Sequence, residues 1–410
     1  MRALLYRRRY NKCVICIVVS LVVIYSSAFL LHTRIVVQAL RVPIVDQKKF
    51  VEKFTQVPDK KFTFETKRDR PKQILYWTSF FGIHPEEYVE KQHNCNCHYK
   101  CQLTADQSQI ENSDAVLFHL YDTWAENWVL NTKKTVPFPT YRNPSQVWVM
   151  ANMEPLGNLW GNFDIFNGLF NWTMTYRRDS TLLLPYGNVQ KVNSKETRPK
   201  QTVNYYRQKT KTAAVRISNC KDYARRYRLV KKITKYLDVD LFGKCYGNLC
   251  GSNSEDPFEE TCNDIMKEYR FYLAFENSFC SDYVTEKYWL ALRREQIPIV
   301  NWKHVDANLV IPNSYINVYD FSDIEMFGQF IELVNTNETI YNSYFAWKDR
   351  YRETSDCISC IVCSALYEKA GTAQVFKNFA GWIKNDFCEE ANRVNIWWKN
   401  FDRAMFDHEN

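Results

Sequence analysis

The part of this 410-residue chain that reads as folded has no surplus of positive charge. Residues 1–72 carry 16 Lys+Arg against 5 Asp+Glu, and with the whole chain at a formal +8 they leave residues 73–410 at −3. A nucleic-acid footprint would spread basic residues across the folded part, so nucleic acid is excluded as a partner and the basicity belongs to a tail and stem. Long uncharged apolar runs are equally missing after residue 31. The run that exists, Val14 to Leu31, has 18 residues and follows Arg2, Arg7, Arg8, Arg9 and Lys12. It is just long enough for a bilayer span, and it exceeds the roughly 7–15 apolar residues of a cleaved signal peptide, for which Ser26-Ser27-Ala28 would be the rival cleavage site. The positive-inside rule then makes residues 1–13 a cytoplasmic tail, 14–31 a signal anchor and everything after Arg34 luminal. A short span suits the thin membranes of the early secretory pathway. Residues 32–72 are charged, without sustained periodicity, and read as a stem.

Cysteine is abundant instead. Of 14 cysteines, Cys13 and Cys16 lie at the start of the apolar run, and the other twelve suit an oxidising lumen and about six bridges of undetermined pairing. Cys95, Cys97 and Cys101 with His93 and His98 nearby, and Cys357, Cys360 and Cys363, read as disulfide frameworks in preference to zinc or redox sites.

Gln73 to Thr78, Asp114 to His119 and Gln146 to Met150 are apolar runs of strand length. Just past the third comes Asn152-Met153-Glu154-Pro155, which places a carboxylate at a strand's carboxyl end, where open α/β sheets face their ligands. Without its neighbours Glu154 would pass for a turn residue before proline. From Asn188 to Lys211 the chain is polar and lysine-rich, a linker. Beyond it, strands at Ala213 to Ser218 and Val239 to Phe242 flank a helical stretch, Ala224 to Leu237, and open a second sheet.

The centre of that second part is Glu268 to Val300. Phe271 to Phe275 reads as a strand, Glu276 to Asp282 as a polar loop, the stretch from Thr285 as a helix with Trp289, Leu290 and Leu292 on one side, and Ile297 to Val300 as the next strand. In such a βαβ unit the loop opens on the ligand crevice, and the helix start beside Lys287 suits an anion such as a diphosphate. By spacing alone Thr285 could equally be an ordinary N-cap and Lys287 a solvated lysine. Ser314 to Phe321 reads as a further strand and Asp323 to Val334 as a helix.

Asn277, Tyr283, Glu286 and Lys287, within F-E-N-x(5)-Y-V-T-E-K, resemble the donor-binding signature of the α-1,3/4-fucosyltransferases, glycosyltransferase family 10. The resemblance runs in order from Gln73 to about Tyr351 through QILYWTSFFG, DAVLFH, FNWTMTYRRDS, LPYG, ISNC and KYLDVDLFGKC. It implies an α/β fold of the GT-B type, two Rossmann-like domains facing a cleft: an acceptor-side domain at 73–190, a linker at 191–210, a GDP-fucose domain at 211–355 and a cysteine-containing segment at 356–410.

The family's general base occupies the place of Glu154, within a motif N-x-E-S-P whose serine is missing here. Its donor arginine corresponds to Arg226, where Arg225 and Arg228 leave the choice ambiguous by sequence alone. The resemblance implies that Asn277, Tyr283, Glu286 and Lys287 complete the GDP-fucose pocket and that no metal is required, with stimulation by Mn2+ or Mg2+ left open. Asp238-Val239-Asp240 then belongs to a strand and is not a manganese site. The expected reaction is inverting transfer of L-fucose to N-acetylglucosamine of an N-glycan core or lactosamine-type chain, on glycoprotein or glycolipid, by a single-span type II protein of the Golgi membrane.

Asn171 and Asn337 head N-glycosylation sequons. Three features depart from the family pattern: Val215-Arg216 where it has tryptophan and an apolar residue, Asn301-Trp302 where it has a small residue, and the missing serine. They keep two alternatives open, a fucosyltransferase of another linkage and a catalytically silent glycan-binding or scaffold protein of the secretory pathway.

Overall fold

The computed structural model describes residues 70–123, 139–156, 163–192, 203–220, 224–248, 250, 260–369, 375–385 and 388–389. All of them belong to one compact unit, Asp59–Asn410. The tail, the anchor at 14–31, the stem up to residue 69, and Cys13 and Cys16 lie outside the described residues. Among the described residues no helix is long and apolar enough to cross a membrane.

Two parallel sheets organise the molecule. The first contains β1 (Lys72–Tyr76), β2 (Cys101–Thr104), β3 (Ala115–His119), β4 (Val147–Asn152), β5 (Trp172–Thr175) and β6 (Leu182–Leu183), in the order β2-β1-β3-β4-β5-β6. Every residue of β3 and β4 is buried, as expected for central parallel strands covered on both faces, and this is why they read as unbroken apolar runs.

The short strand β7 (Asn188–Lys191) follows, and then the second sheet: β8 (Lys211–Arg216), β9 (Val239–Phe242), β10 (Tyr269–Leu273), β12 (Ile297–Val300) and β13 (Ile316–Asn317), in the order β13-β12-β10-β8-β9. Each sheet therefore reverses its strand order beside its first strand, between β1 and β3 and between β8 and β10. Such switch points are where α/β sheets bind ligands, outside the strands' carboxyl ends. In the second sheet, α1 (Arg226–Ile233) follows β8. The loop after β10, which contains β11 (Phe279–Cys280), leads into α2 (Glu286–Arg293).

Two expectations change. Asn188 to Lys191, read as the start of a polar linker, is strand β7, paired antiparallel with β14 (Tyr351–Thr354), which satisfies its backbone groups despite its polar side chains. Ser314 to Phe321 is not one strand. Only Ile316–Asn317 pairs with the sheet, because the Asn317 side chain accepts from the Tyr319 amide and turns the chain into a 3-10 helix.

The C-terminal segment returns to the first sheet. In α3 (Ile358–Glu368), Ile358, Val362, Ala365 and Leu366 pack into the first sheet's core. Disulfides Cys95–Cys357, Cys97–Cys360 and Cys101–Cys363 lock it there. The first of them spans a sequence separation of 262. Closing a loop that long constrains the unfolded chain by about 5–6 kcal/mol, and the two parallel bridges add less because the loop is already closed. Cys220–Cys245, Cys250–Cys262 and Cys280–Cys388 complete the pairing of the twelve cysteines. With all three in bridges, Cys95, Cys97 and Cys101 hold no zinc, and His93 and His98 are exposed.

Candidate active site

The loops after β4 and β10 meet. Glu154 stands two residues past the end of β4, and Asn277 Nδ2, from the loop after β10, donates to its carboxylate Oε2 at 3.4 Å. Both backbone carbonyls around Glu154 are held: Tyr186 Oη donates to Met153 O at 2.8 Å, and Asn152 Nδ2 donates to Glu154 O. Burial raises the Glu154 carboxyl above its ordinary range, and the Lys287 ammonium opposes that rise. A carboxylate whose proton affinity is raised by burial is suited to accept a proton.

Lys287 donates to Thr285 Oγ1 at 2.8 Å, to Glu286 Oε1 at 3.0 Å and to Glu276 Oε2 at 3.4 Å. Burial works against its charge, but Glu276 and Glu286 outweigh it and hold the ammonium protonated. Glu286 is also disfavoured by burial, yet Lys287 keeps its carboxyl below the usual range.

Glu276 is 1 % exposed and was not singled out in the sequence. It accepts from both the backbone N–H and the hydroxyl of Thr285, at 2.8 Å each. Thr285 is thus the N-cap of α2, but its hydroxyl serves Glu276 and makes no cap bond to the helix. The protein's own Glu276 carboxylate thus stands beside this helix start, bound to the N-cap residue Thr285.

Arg226 is the buried member of its arginine cluster at 2 % exposure, while Arg228 is exposed. Its guanidinium donates to Asn219 O at 2.8 Å and to Phe275 O at 3.5 Å, and its charge acts on Lys287. Arg225 enters α1 in the left-handed conformation with φ 51°, the turn that delivers Arg226 to the end of β10. Tyr283 is buried and its ring contacts Tyr176 and Tyr186 at 4.9 and 6.3 Å. Residues 154, 277, 283, 286 and 287 therefore converge, with the Arg226 charge at their edge.

Two of the three departures have a place in the packing, and nothing in the structure explains the missing serine. Val215 is a fully buried core residue of β8, and Arg216 lies half-buried at its end. Asn301, 1 % exposed, accepts from the Glu276 amide at 2.8 Å and donates to the Glu276 carbonyl at 3.3 Å, so it holds the loop after β10. Trp302 packs edge-on against Tyr288 and Tyr315. Asp240 is an exposed residue of edge strand β9 and accepts from Tyr269 Oη at 2.6 Å.

Asn171 is 4 % exposed, with its carboxamide oxygen accepting from Trp148 N and Arg142 Nη2. Those bonds make it a buried amide of the folded chain. Asn337 caps the helix Glu338–Ser343 through its oxygen and is half-buried.

Sequence reasoning also passed over His119. It ends β3, is 0 % exposed, has Nδ1 3.0 Å from Asp122 Oδ2, and lies within electrostatic reach of Glu154. Its position one residue past a buried apolar run was the available signal.

Comparison with known proteins divides the chain along its two sheets. "Fucosyltransferase, N-terminal" matches residues 69–187, and "Glycosyltransferase family 10 (fucosyltransferase) C-term" matches residues 206–382. The chain is 30% identical over 386 residues to alpha-(1,3)-fucosyltransferase C of Drosophila melanogaster, covering 86% of each protein. It is 33% identical over 318 residues to alpha-(1,3)-fucosyltransferase 7 of Mus musculus, covering 76% of this chain and 75% of that one. A solved alpha1,3-fucosyltransferase with GDP-fucose aligns at a TM-score of 0.42 and 17% identity, over 80% of this chain and 90% of that one.

Proposed function

The chain belongs to glycosyltransferase family 10, and from that premise we propose that it is an inverting α-1,3-fucosyltransferase moving L-fucose from GDP-fucose to N-acetylglucosamine of N-glycan-core or lactosamine-type glycans. The observation that carries this reading is the contact between Asn277 and Glu154, which joins the carboxylate at the end of β4 to the loop that leads into Glu286 and Lys287.

The fold is read as GT-B, with 73–190 on the acceptor side and 211–355 on the donor side. The acceptor hydroxyl gives its proton to the Glu154 carboxylate as its oxygen bonds to the fucosyl anomeric carbon. The bond from that carbon to the phosphate oxygen breaks, and its electron pair leaves with GDP. A diphosphate departs without a protonating acid if its charge is met, and Lys287 and Arg226 are the fixed cations for it. Glu286 is read as a partner for donor hydroxyls, and Tyr283 and Asn277 as walls of the donor pocket. On this reading no divalent ion is required. The stretch at 14–31 anchors a type II protein in the Golgi membrane, with the transferase part in the lumen.

The test is to incubate the full-length protein in detergent with GDP-fucose and a panel of N-glycan and lactosamine acceptors, with and without EDTA. Transfer that survives EDTA and yields an α-linked product, read from the anomeric proton coupling, supports the whole proposal. Transfer abolished by EDTA would reinstate a metal, and neither transfer nor GDP-fucose binding would remove the enzyme reading.

A further inference from the structure

Tyr186 stands between the base and the donor pocket. It belongs to the Pro185-Tyr186-Gly187 turn after β6, and its ring meets that of Tyr283 edge-on at 78°. Behind it Gly187 is seated on the indole of Trp289 in α2, so the turn is fastened to the donor helix. In the other direction its hydroxyl donates to Met153 O at 2.8 Å. That carbonyl belongs to the peptide whose nitrogen is Glu154's, so the bond fixes the plane from which the Glu154 side chain departs. The next carbonyl, that of Glu154 itself, is held by Asn152 from within β4. One clamp thus ties the base to its own sheet, and the other ties it to the donor helix.

We propose that Tyr186 is a positioning residue whose hydroxyl holds the Glu154 loop in register with α2, so that the carboxylate and the donor's sugar–phosphate bond are aligned. The inference rests on the transferase reading above. Alignment of a base is a steep requirement: a misplacement of about 1 Å can cost about 100-fold in rate. Removing the hydroxyl leaves the aromatic packing intact, frees the Met153 carbonyl and takes away the side-chain hydrogen bond between Tyr186 and Tyr283.

The experiment compares the full-length wild-type protein with Tyr186→Phe in detergent, measuring transfer kinetics, GDP affinity by calorimetry, Tm, and the pH dependence of kcat. Expected for the variant are a kcat lowered about 10- to 100-fold, a KM for GDP-fucose and a GDP affinity within about twofold of wild type, and a Tm lowered by no more than about 4 °C. The acidic limb of the kcat profile shifts as well. Glu154 is faced by Lys287 and Glu286 from α2, Asn277 and Tyr283 from the loop before it, and His119 from β3, and a loosened loop changes its distance to all of them.

An unchanged kcat and pH profile would overturn the proposal. So would a loss of GDP affinity equal to the loss of kcat, because Tyr186 would then be part of the donor pocket itself. Wild-type protein that transfers nothing in the parallel assay would overturn the transferase reading, and this inference with it.

Discussion

Gly187 lies flat against Trp289. A β-carbon at 187 would stand 2.4 Å from Cδ2 of the indole, and Trp289 is 1 % exposed with Tyr288 packed edge-on at 4.8 Å. The ring has nowhere to go. Gly187→Ala is expected to cost about 1–3 kcal/mol by overpacking, a Tm loss of several degrees by calorimetry, together with a fall in transfer, since the same turn carries Tyr186.

Glu154→Gln separates activity from stability. Without a base, kcat is expected to fall at least about 100-fold while GDP affinity stays within about threefold. Burial raises the Glu154 carboxyl, so the folded state favours its protonated form. The wild type therefore loses stability as pH rises through that raised value, and the glutamine variant does not. Thermal melts at several pH values are expected to show the variant more stable near and above neutrality, with the advantage vanishing below about pH 4, where the unfolded carboxyl is protonated too. For kcat the wild-type acidic limb marks the same carboxyl.

Lys287→Met would leave the Glu276 and Glu286 carboxylates facing each other without their shared cation. Loss of one partner from a buried charged set costs about 3–5 kcal/mol; with the Lys287 side chain 18 % and Glu286 25 % exposed, the lower end applies. GDP affinity measured by calorimetry on the folded fraction is expected to drop at least about tenfold. Equal GDP affinity in the two proteins would remove Lys287 from the donor site.

Cys280 in the donor loop is bridged to Cys388, and the two residues also pair as strands β11 and β15 (Cys388–Glu389). The bridge lies against Tyr176 and Tyr283. Cys388→Ser is expected to raise the KM for GDP-fucose about three- to tenfold with kcat changed little, because it loosens the loop that carries Asn277 and Tyr283. A peptide map under non-reducing conditions would verify that the other five bridges persist.

The sequons are expected to differ. Deglycosylation of the protein expressed through a eukaryotic secretory pathway should shift its mobility by one glycan, and Asn337→Gln should abolish the shift. A glycan found on Asn171 would contradict the packing of its carboxamide against Trp148 and Arg142.

The strands β3, β4 and β12 were legible because both faces are buried and their apolar runs are unbroken, whereas Asn277, Glu286 and Lys287 were reached through the family resemblance, since spacing alone left Lys287 equally a solvated lysine. Glu154 was singled out through the family motif, since by position alone one carboxylate before a proline reads as a turn residue. Asn188 to Lys191 misled because its pairing with β14 is a backbone matter that polar side chains do not report. What the one-dimensional pattern determined, then, was the layered α/β class and the set of twelve cysteines beyond the apolar run, the first of which depends on neighbours in the chain. Which cysteines join, why Glu276 takes the start of α2, how Asn301 serves that loop and how Tyr186 ties Glu154 to Trp289 were decided only in the folded molecule. Each depends on residues far apart in sequence, and a hydrogen bond or a ring contact across such a distance leaves no periodicity to read.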